Sequence, residues 1–207
     1  LPASLGVTDD SSSFTTRVTN IIFVALSWYQ QIVLSATAEK DILYSMNWVI
    51  SNSEPLLDFP KPTLQNVVEI GGIGVPEEKP LTEEWDRVLS LRSKTVLISF
   101  GSVTPSVFMP DEMKKSIIDV VKTYPDITFI WKYEDPTDPL VNGIENLIAS
   151  KWTPQNDLLA DDRLTLFITH GGSGSMMESA THGKPLIVVP LFGDQTRNAK
   201  IVEKYGF

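Results

Sequence analysis

The sequence predicts an α/β protein: a parallel sheet with helices on both faces, preceded by the tail of a second α/β domain. Three observations predict it. From residue 94 onward, short apolar runs alternate with segments of helical periodicity. Those runs carry few polar residues, as strands buried on both faces do. One of them ends in a glycine-rich loop, His170-Gly171-Gly172-Ser173-Gly174, that opens a helix.

Residues 1–75 read as the end of a domain, with too few elements to close one. A helix is expected from about Phe14 to Ala38, since apolar residues fall at 18, 21, 22, 25, 26, 29, 32, 33 and 36. Ile42-Leu43-Tyr44 and Trp48-Val49-Ile50 are strand-like. A proline-rich loop from Pro55 to Pro62 follows, then Val67 to Ile70, a strand stopped by Gly71-Gly72. Glycine and proline between Ile73 and Leu81 mark a linker, and the interdomain stretch is set at 76–93. Within 94–207, Thr95 to Phe100 is a strand, and Asp111 to Thr123 a helix behind Pro110 with apolar residues at 113, 117, 120 and 121. Ile127 to Trp131 and Leu147 to Ala149 are strands, and Asn156 to Ala160 a short helix. Leu164 to Thr169 is a buried strand, Ser175 to Thr181 a helix closed by Gly183, Leu186 to Val189 a strand, and Gln195 to Lys204 a last helix.

Composition narrows the function classes. The 207 residues are 42% hydrophobic and 21% charged, which excludes a disordered chain. A net charge of −9 argues against non-specific nucleic-acid binding, so an anionic ligand must be held by local dipoles. Without cysteine there is no disulfide framework and no thiolate metal site. No signal peptide and no Asn-x-Ser/Thr sequon is visible. Val18 to Ala38 is uncharged and long enough to span a bilayer, but Asn20, Ser27, Gln30, Gln31 and Ser35 are costly in hydrocarbon. It reads as an amphipathic helix packed on a core, with a membrane-surface helix as the alternative.

The strongest chemical signal is Leu166 to Glu178. Glycines let a ligand approach the backbone, and free N–H groups at a helix N-terminus favour a phosphate. Arg163 and Lys184 are the nearest cations in sequence, so a diphosphate here would be held by amides, by the hydroxyls of Thr169, Ser173 and Ser175, and by His170. The bland reading is a plain tight turn. A competing reading is a dinucleotide-binding unit, with Gly172-Ser173-Gly174 as the fingerprint and Asp194 following the next strand. Met177, however, stands where that motif's third glycine belongs. A P-loop is excluded because Pro185 follows Gly183-Lys184.

A wider constellation surrounds this loop: Trp152-Thr153-Pro154-Gln155-Asn156-Asp157, Thr169-His170-Gly171-Gly172, Glu178, His182-Gly183-Lys184-Pro185 and Asp194-Gln195. It resembles the signature of UDP-glycosyltransferases, the animal UDP-glucuronosyltransferase type. Ser99 to Ser102, Trp131-Lys132-Tyr133 and Asp58 to Pro62 resemble that family's upstream elements. The resemblance implies a GT-B fold, with residues 1–75 ending the N-terminal acceptor domain and 94–207 forming the UDP-sugar-binding, Rossmann-like domain. It implies that Trp152 borders uracil and Gln155 bonds its edge or the ribose. His170, Gly171 and Gly172 face the diphosphate, with Thr169 and Ser102 beside it, and Ser175 is added to the site for its hydroxyl at the helix start. Glu178 takes the ribose hydroxyls, and Asp194 and Gln195 the sugar hydroxyls. Here Gly174-Ser175 stand where many relatives have Asn-Gly, and Lys132 where vertebrate relatives often have Arg. The catalytic histidine and its partner aspartate would lie upstream of Leu1, so no catalytic residue is assigned.

The function implied is inverting transfer of a hexosyl group, glucuronosyl or glucosyl, from a UDP-sugar to a small lipophilic acceptor. A non-catalytic nucleotide-sugar-binding fragment or isoform, and a dinucleotide-binding oxidoreductase domain, are the alternatives. No metal or other cofactor is expected, because no Asp-x-Asp motif occurs. By resemblance the whole protein sits at the endoplasmic reticulum membrane on its lumenal side, anchored by segments outside this chain, and could self-associate.

Overall fold

The computed structural model describes residues 46–59 and 63–206, together with residues 14, 15, 18, 19, 21, 22, 24–26 and 29, all helical. The strand-like run Ile42-Leu43-Tyr44 lies outside the described residues. In chain order the elements are β1 (Val49–Ser51), β2 (Val67–Glu69), α1 (Glu83–Leu89), β3 (Lys94–Ser99), α2 (Asp111–Thr123), β4 (Ile127–Lys132), β5 (Leu147–Ser150), α3 (Gln155–Ala160), β6 (Leu164–Thr169), α4 (Ser173–Thr181), β7 (Leu186–Val188) and α5 (Gln195–Tyr205). The chain divides into two compact units, Leu1–Gly74 with Leu191–Gly206, and Val75–Pro190.

In the first unit β1 and β2 pair in parallel, Val49 opposite Val67. The loop after β1 is tied to α5: Arg197 pairs with Asp58, and the Tyr205 hydroxyl donates to the Asp58 carbonyl at 2.8 Å. Arg197 and Lys204 also lie over the Phe59 ring. These contacts explain why residues 191–206, expected with the 94–207 domain, group with the first unit. The early helix was expected to pack on a core, yet Phe14, Ile21 and Tyr29 are 82%, 69% and 66% exposed. The three-residue strands offer no apolar face wide enough to bury it; Trp48, Val49, Ile50 and Val68 are exposed themselves.

The second unit is a five-stranded, all-parallel sheet in the order β5-β4-β3-β6-β7. Growth of the sheet runs one way from β3 to β5 and reverses at β6. That reversal is a topological switch point, beside which the loops after β3 and β6 leave the strand ends together. Ser99 pairs with Thr169 there. A register shift in the β3–β6 pairing is bridged by Thr165, whose hydroxyl donates to the Thr95 carbonyl at 2.9 Å.

Alternation along the strands builds the core. Val96, Ile98, Phe129 and Trp131 pack with Ile118 and Val121 of α2. Leu97, Ile130 and Phe167 are fully buried, as are Leu158 and Leu159 of α3. Each such side chain contributes roughly 1.5–3 kcal/mol. Two buried polar groups fix connections: the Asn146 amide donates to the Val121, Tyr124 and Ile127 carbonyls, and Lys184 Nζ to those of Asp161 and Leu164.

Residues 76–93, expected as a linker, lie in the second unit and contain α1. Glu83, Glu84 and Asp86 occupy its first turn, where acidic side chains suit the helix dipole, and Trp85, Val88 and Leu89 are buried. Arg163 ties α1 to the α3–β6 turn through Asp86, Ser90 and Asp161.

Candidate functional site

The site begins at the switch point. β3 ends in Gly101 at φ 83°, and β6 in His170-Gly171-Gly172, with Gly171 at φ 82° and Gly172 as the N-cap of α4. The His170 ring fills the space between the two loops. A Cβ at Gly172 would come within 2.6 Å of its Nε2, and one at Gly101 within 2.9 Å of its Cε1. Gly101 is required by its positive φ as well, whereas at Gly172 a side chain would have to displace the imidazole. Thr169, fully buried, sets its hydroxyl 3.3 Å from His170 Nδ1.

Beyond this turn α4 supplies an anion-receptive end. Its first backbone hydrogen bond runs from Met176 N to the Gly172 carbonyl, so the amides of Ser173, Gly174 and Ser175 have no acceptor within the helix. A Cβ at Gly174 would meet nothing within 4 Å, so the helix end is open to a ligand.

A cleft of about 450 Å³ opens at this end of the sheet, lined among others by Ser102, Trp152, Gln155, Ser175 and Glu178. Trp152 is 70% exposed, so it is not a core aromatic. The Gln155 amide donates to Glu178 Oε2 at 2.6 Å and to Ser175 Oγ at 3.2 Å, joining the first turn of α3 to a partly buried face of α4. Glu178 is thereby oriented while keeping acceptor capacity for hydroxyl donors.

The structure thus brings Ser102, Trp152, Gln155, Ser175 and Glu178 to one cleft. Thr169, His170, Gly171 and Gly172 form the turn that carries Gly174 and Ser175 to its edge. Asp194 and Gln195 belong to the first unit. Asp194 precedes α5 and accepts from Asn198 Nδ2 at 2.9 Å. Gln195 is buried, and its Oε1 accepts from the N–H groups of Leu191 and Phe192.

Two groups of lining residues were given no place in the site by the sequence alone. Lys132 is buried with its Nζ at the cleft, donating to the Gly101 carbonyl at 2.7 Å, 3.6 Å from Glu134 and 5.7 Å from the Trp152 ring centroid. Its position follows from β4 pairing beside β3, which strand order alone reveals. Pro76, Glu77 and Lys79 form the second group. Their presence depends on contacts almost 80 residues apart in sequence, which no local pattern carries.

A parallel sheet with this strand order and a glycine turn at its switch point define a doubly wound, Rossmann-like domain of the kind that GT-B glycosyltransferases carry. The chain belongs to the family described as UDP-glucoronosyl and UDP-glucosyl transferase, which matches residues 10–207. It is 32% identical over 221 residues to UDP-glucuronosyltransferase 1A1 of Mus musculus, covering 100% of this chain and 40% of that relative. A solved UDP-glucosyltransferase from Polygonum tinctorium, in complex with 3,4-dichloroaniline, is 26% identical, with a TM-score of 0.58 over 76% of this chain and 38% of that one. A UDP-glucose: anthocyanidin 3-O-glucosyltransferase in complex with UDP, 21% identical, shares the fold at a TM-score of 0.60 over 76% and 38%. The chain spans 27–40% of the length of the curated relatives it matches. Among the described residues no helix is long and apolar enough to cross a membrane.

Proposed function

We propose that the cleft binds a UDP-sugar and that the whole protein transfers the hexosyl group, glucuronosyl or glucosyl, to a small lipophilic acceptor with inversion. The observation that carries this reading is the convergence of Trp152, Gln155, Ser175 and Glu178 beside an open helix end. In it, uracil borders Trp152, and Gln155 bonds the uracil edge or the ribose. Glu178 accepts from the ribose hydroxyls. The diphosphate faces His170 to Gly172 with Thr169, Ser102 and Ser175, held by amides and dipole and without a metal. Asp194 and Gln195 take the sugar hydroxyls; because Gln195 Oε1 is engaged by two amides, its Nε2 is the group left to donate.

The catalytic base is a histidine of the N-terminal domain, outside these residues. It takes the proton from the acceptor hydroxyl or amine, whose oxygen or nitrogen bonds the anomeric carbon as the carbon–oxygen bond to UDP breaks. The electron pair leaves on the diphosphate, where the α4 amides stabilise it. In the cell, the reading puts the whole protein at the endoplasmic reticulum membrane, active site lumenal.

Calorimetry on Glu178→Ala and Asp194→Ala tests the division of roles. Glu178→Ala should weaken UDP by about 1.5–3 kcal/mol. Asp194→Ala should leave UDP unchanged and erase much of the difference between UDP-sugar and UDP. Equal weakening of UDP by both would sink the assignment. With a broad acceptor panel this chain alone should release no UDP, and robust acceptor-dependent release would place the base inside it.

A further inference from the structure

Segment 76–79 forms one wall of the donor cleft, and its backbone is clamped at two points by the first turn of α3. Asn156 Nδ2 donates to the Pro76 carbonyl at 2.9 Å, and the Lys79 N–H donates to Asp157 Oδ1 at 2.9 Å. Asn156 is buried, and its Oδ1 lies 3.0 Å from His182 Nε2 at the far end of α4. A proline carbonyl can only accept, so it fixes which end of the Asn156 amide faces it. The Oδ1 end must then accept from His182, whose Nε2 carries the hydrogen. The helix that opens at the glycine turn is therefore tied, at its other end, to this wall.

The clamp holds Lys79 in the lining of the cleft. The cations there are Lys79 and Lys132. Lys132 is committed to the Gly101 carbonyl and Glu134, whereas Lys79 makes no ion pair among the described residues. An anionic ligand here meets Glu77, Asp157 and Glu178 in the same lining and a chain of net charge −9, so a cation facing the cleft adds to what the α4 amides supply by offsetting them. We propose that Lys79 is a specificity-determining residue whose ammonium reads an anionic group of the donor, the diphosphate or a uronate carboxylate. The inference rests on the donor-site reading above.

Titration of the full chain with uridine, UDP, UDP-glucose and UDP-glucuronate tests it, on wild type, Lys79→Gln and Lys79→Arg. Lys79→Gln should weaken every ligand bearing the read anion by about three- to tenfold, less at high salt, and leave uridine unchanged. Lys79→Arg should stay within about twofold of wild type. Equal losses for the three diphosphates assign the diphosphate; a loss confined to UDP-glucuronate assigns the carboxylate. Asp157→Ala and Asp157→Asn remove the same charge, but only the asparagine keeps the oxygen that holds Lys79. The asparagine variant should therefore bind those same ligands more tightly than the alanine one. Should wild type bind UDP and UDP-glucuronate while Lys79→Gln binds each equally well, the proposal is overturned and the donor site stands. A loss for uridine as large as for UDP overturns it too. A folded wild type that binds none of the four overturns the donor-site reading and this inference with it.

Discussion

Gln155 and Glu178 act as one unit, because the amide of the first holds the carboxylate of the second. Removing either should therefore cost part of the same interaction. A double-mutant cycle on UDP affinity with Gln155→Ala and Glu178→Ala should show coupling of about 0.5–3 kcal/mol, with the double variant losing less than the sum. Strict additivity would mean that the 2.6 Å contact has no part in binding. Trp152→Ala should weaken UDP by about 1–3 kcal/mol if a base stacks on that ring. It should leave the melting temperature near wild type, because the side chain is 70% exposed; a large drop in melting temperature would make it a packing residue. At this scale the motif residues were legible because their types carry chemistry: a glycine turn, a carboxylate on the helix it opens, an aromatic upstream. Lys132 was visible only as a departure from the family pattern. Its contact with Gly101 arises from a strand pairing that the motif does not encode.

Among the elements, strands β3 to β7 and helices α2 to α5 match the sequence pattern to within a few residues, since each has an apolar period that one face of the sheet satisfies. Helix α1 was lost inside an expected linker. Pro76, Pro80 and a run of acids obscured it, although Thr82 followed by Glu83-Glu84 and apolar residues at 85, 88 and 89 is a helix start with i, i+3, i+4 spacing. Asn146 shows how an element's end is fixed by a distant side chain. Asn146→Ala should lower stability by about 1–3 kcal/mol in urea unfolding, because it strands the carbonyls that close α2. A variant as stable as wild type would mean water replaces the amide. Asp161 gives a pH-dependent counterpart: the Arg163 guanidinium bonded to it holds its carboxyl below the ordinary value. A depressed folded pKa means that its stabilising contribution is complete above the ordinary carboxylate range. It is lost as pH falls through the folded value. The stability gap between wild type and Asp161→Asn should be widest at neutral pH and close in acid; a gap independent of pH would show that the pairing contributes nothing.

The whole molecule divides differently from the domains expected. Unit boundaries fall at 74/75 and 190/191, and α5 joins the first unit through Asp58, Phe59 and Tyr205. Nothing in the local sequence of residues 191–206 reveals this, because the partners lie about 140 residues upstream. The class of the second unit was legible from alternation and one glycine turn, and family membership displaces the dinucleotide alternative that the same turn allowed. We propose that this cleft is built for a uridine diphosphate, recognised through Trp152, Gln155 and Glu178 and the open end of α4. Competition calorimetry tests it most directly: UDP is titrated into the folded chain in EDTA, then again in the presence of NAD. One UDP site is expected, its affinity indifferent to EDTA and to NAD at matched concentration. A folded chain that takes up no UDP, or NAD displacing UDP at similar concentration, would contradict it.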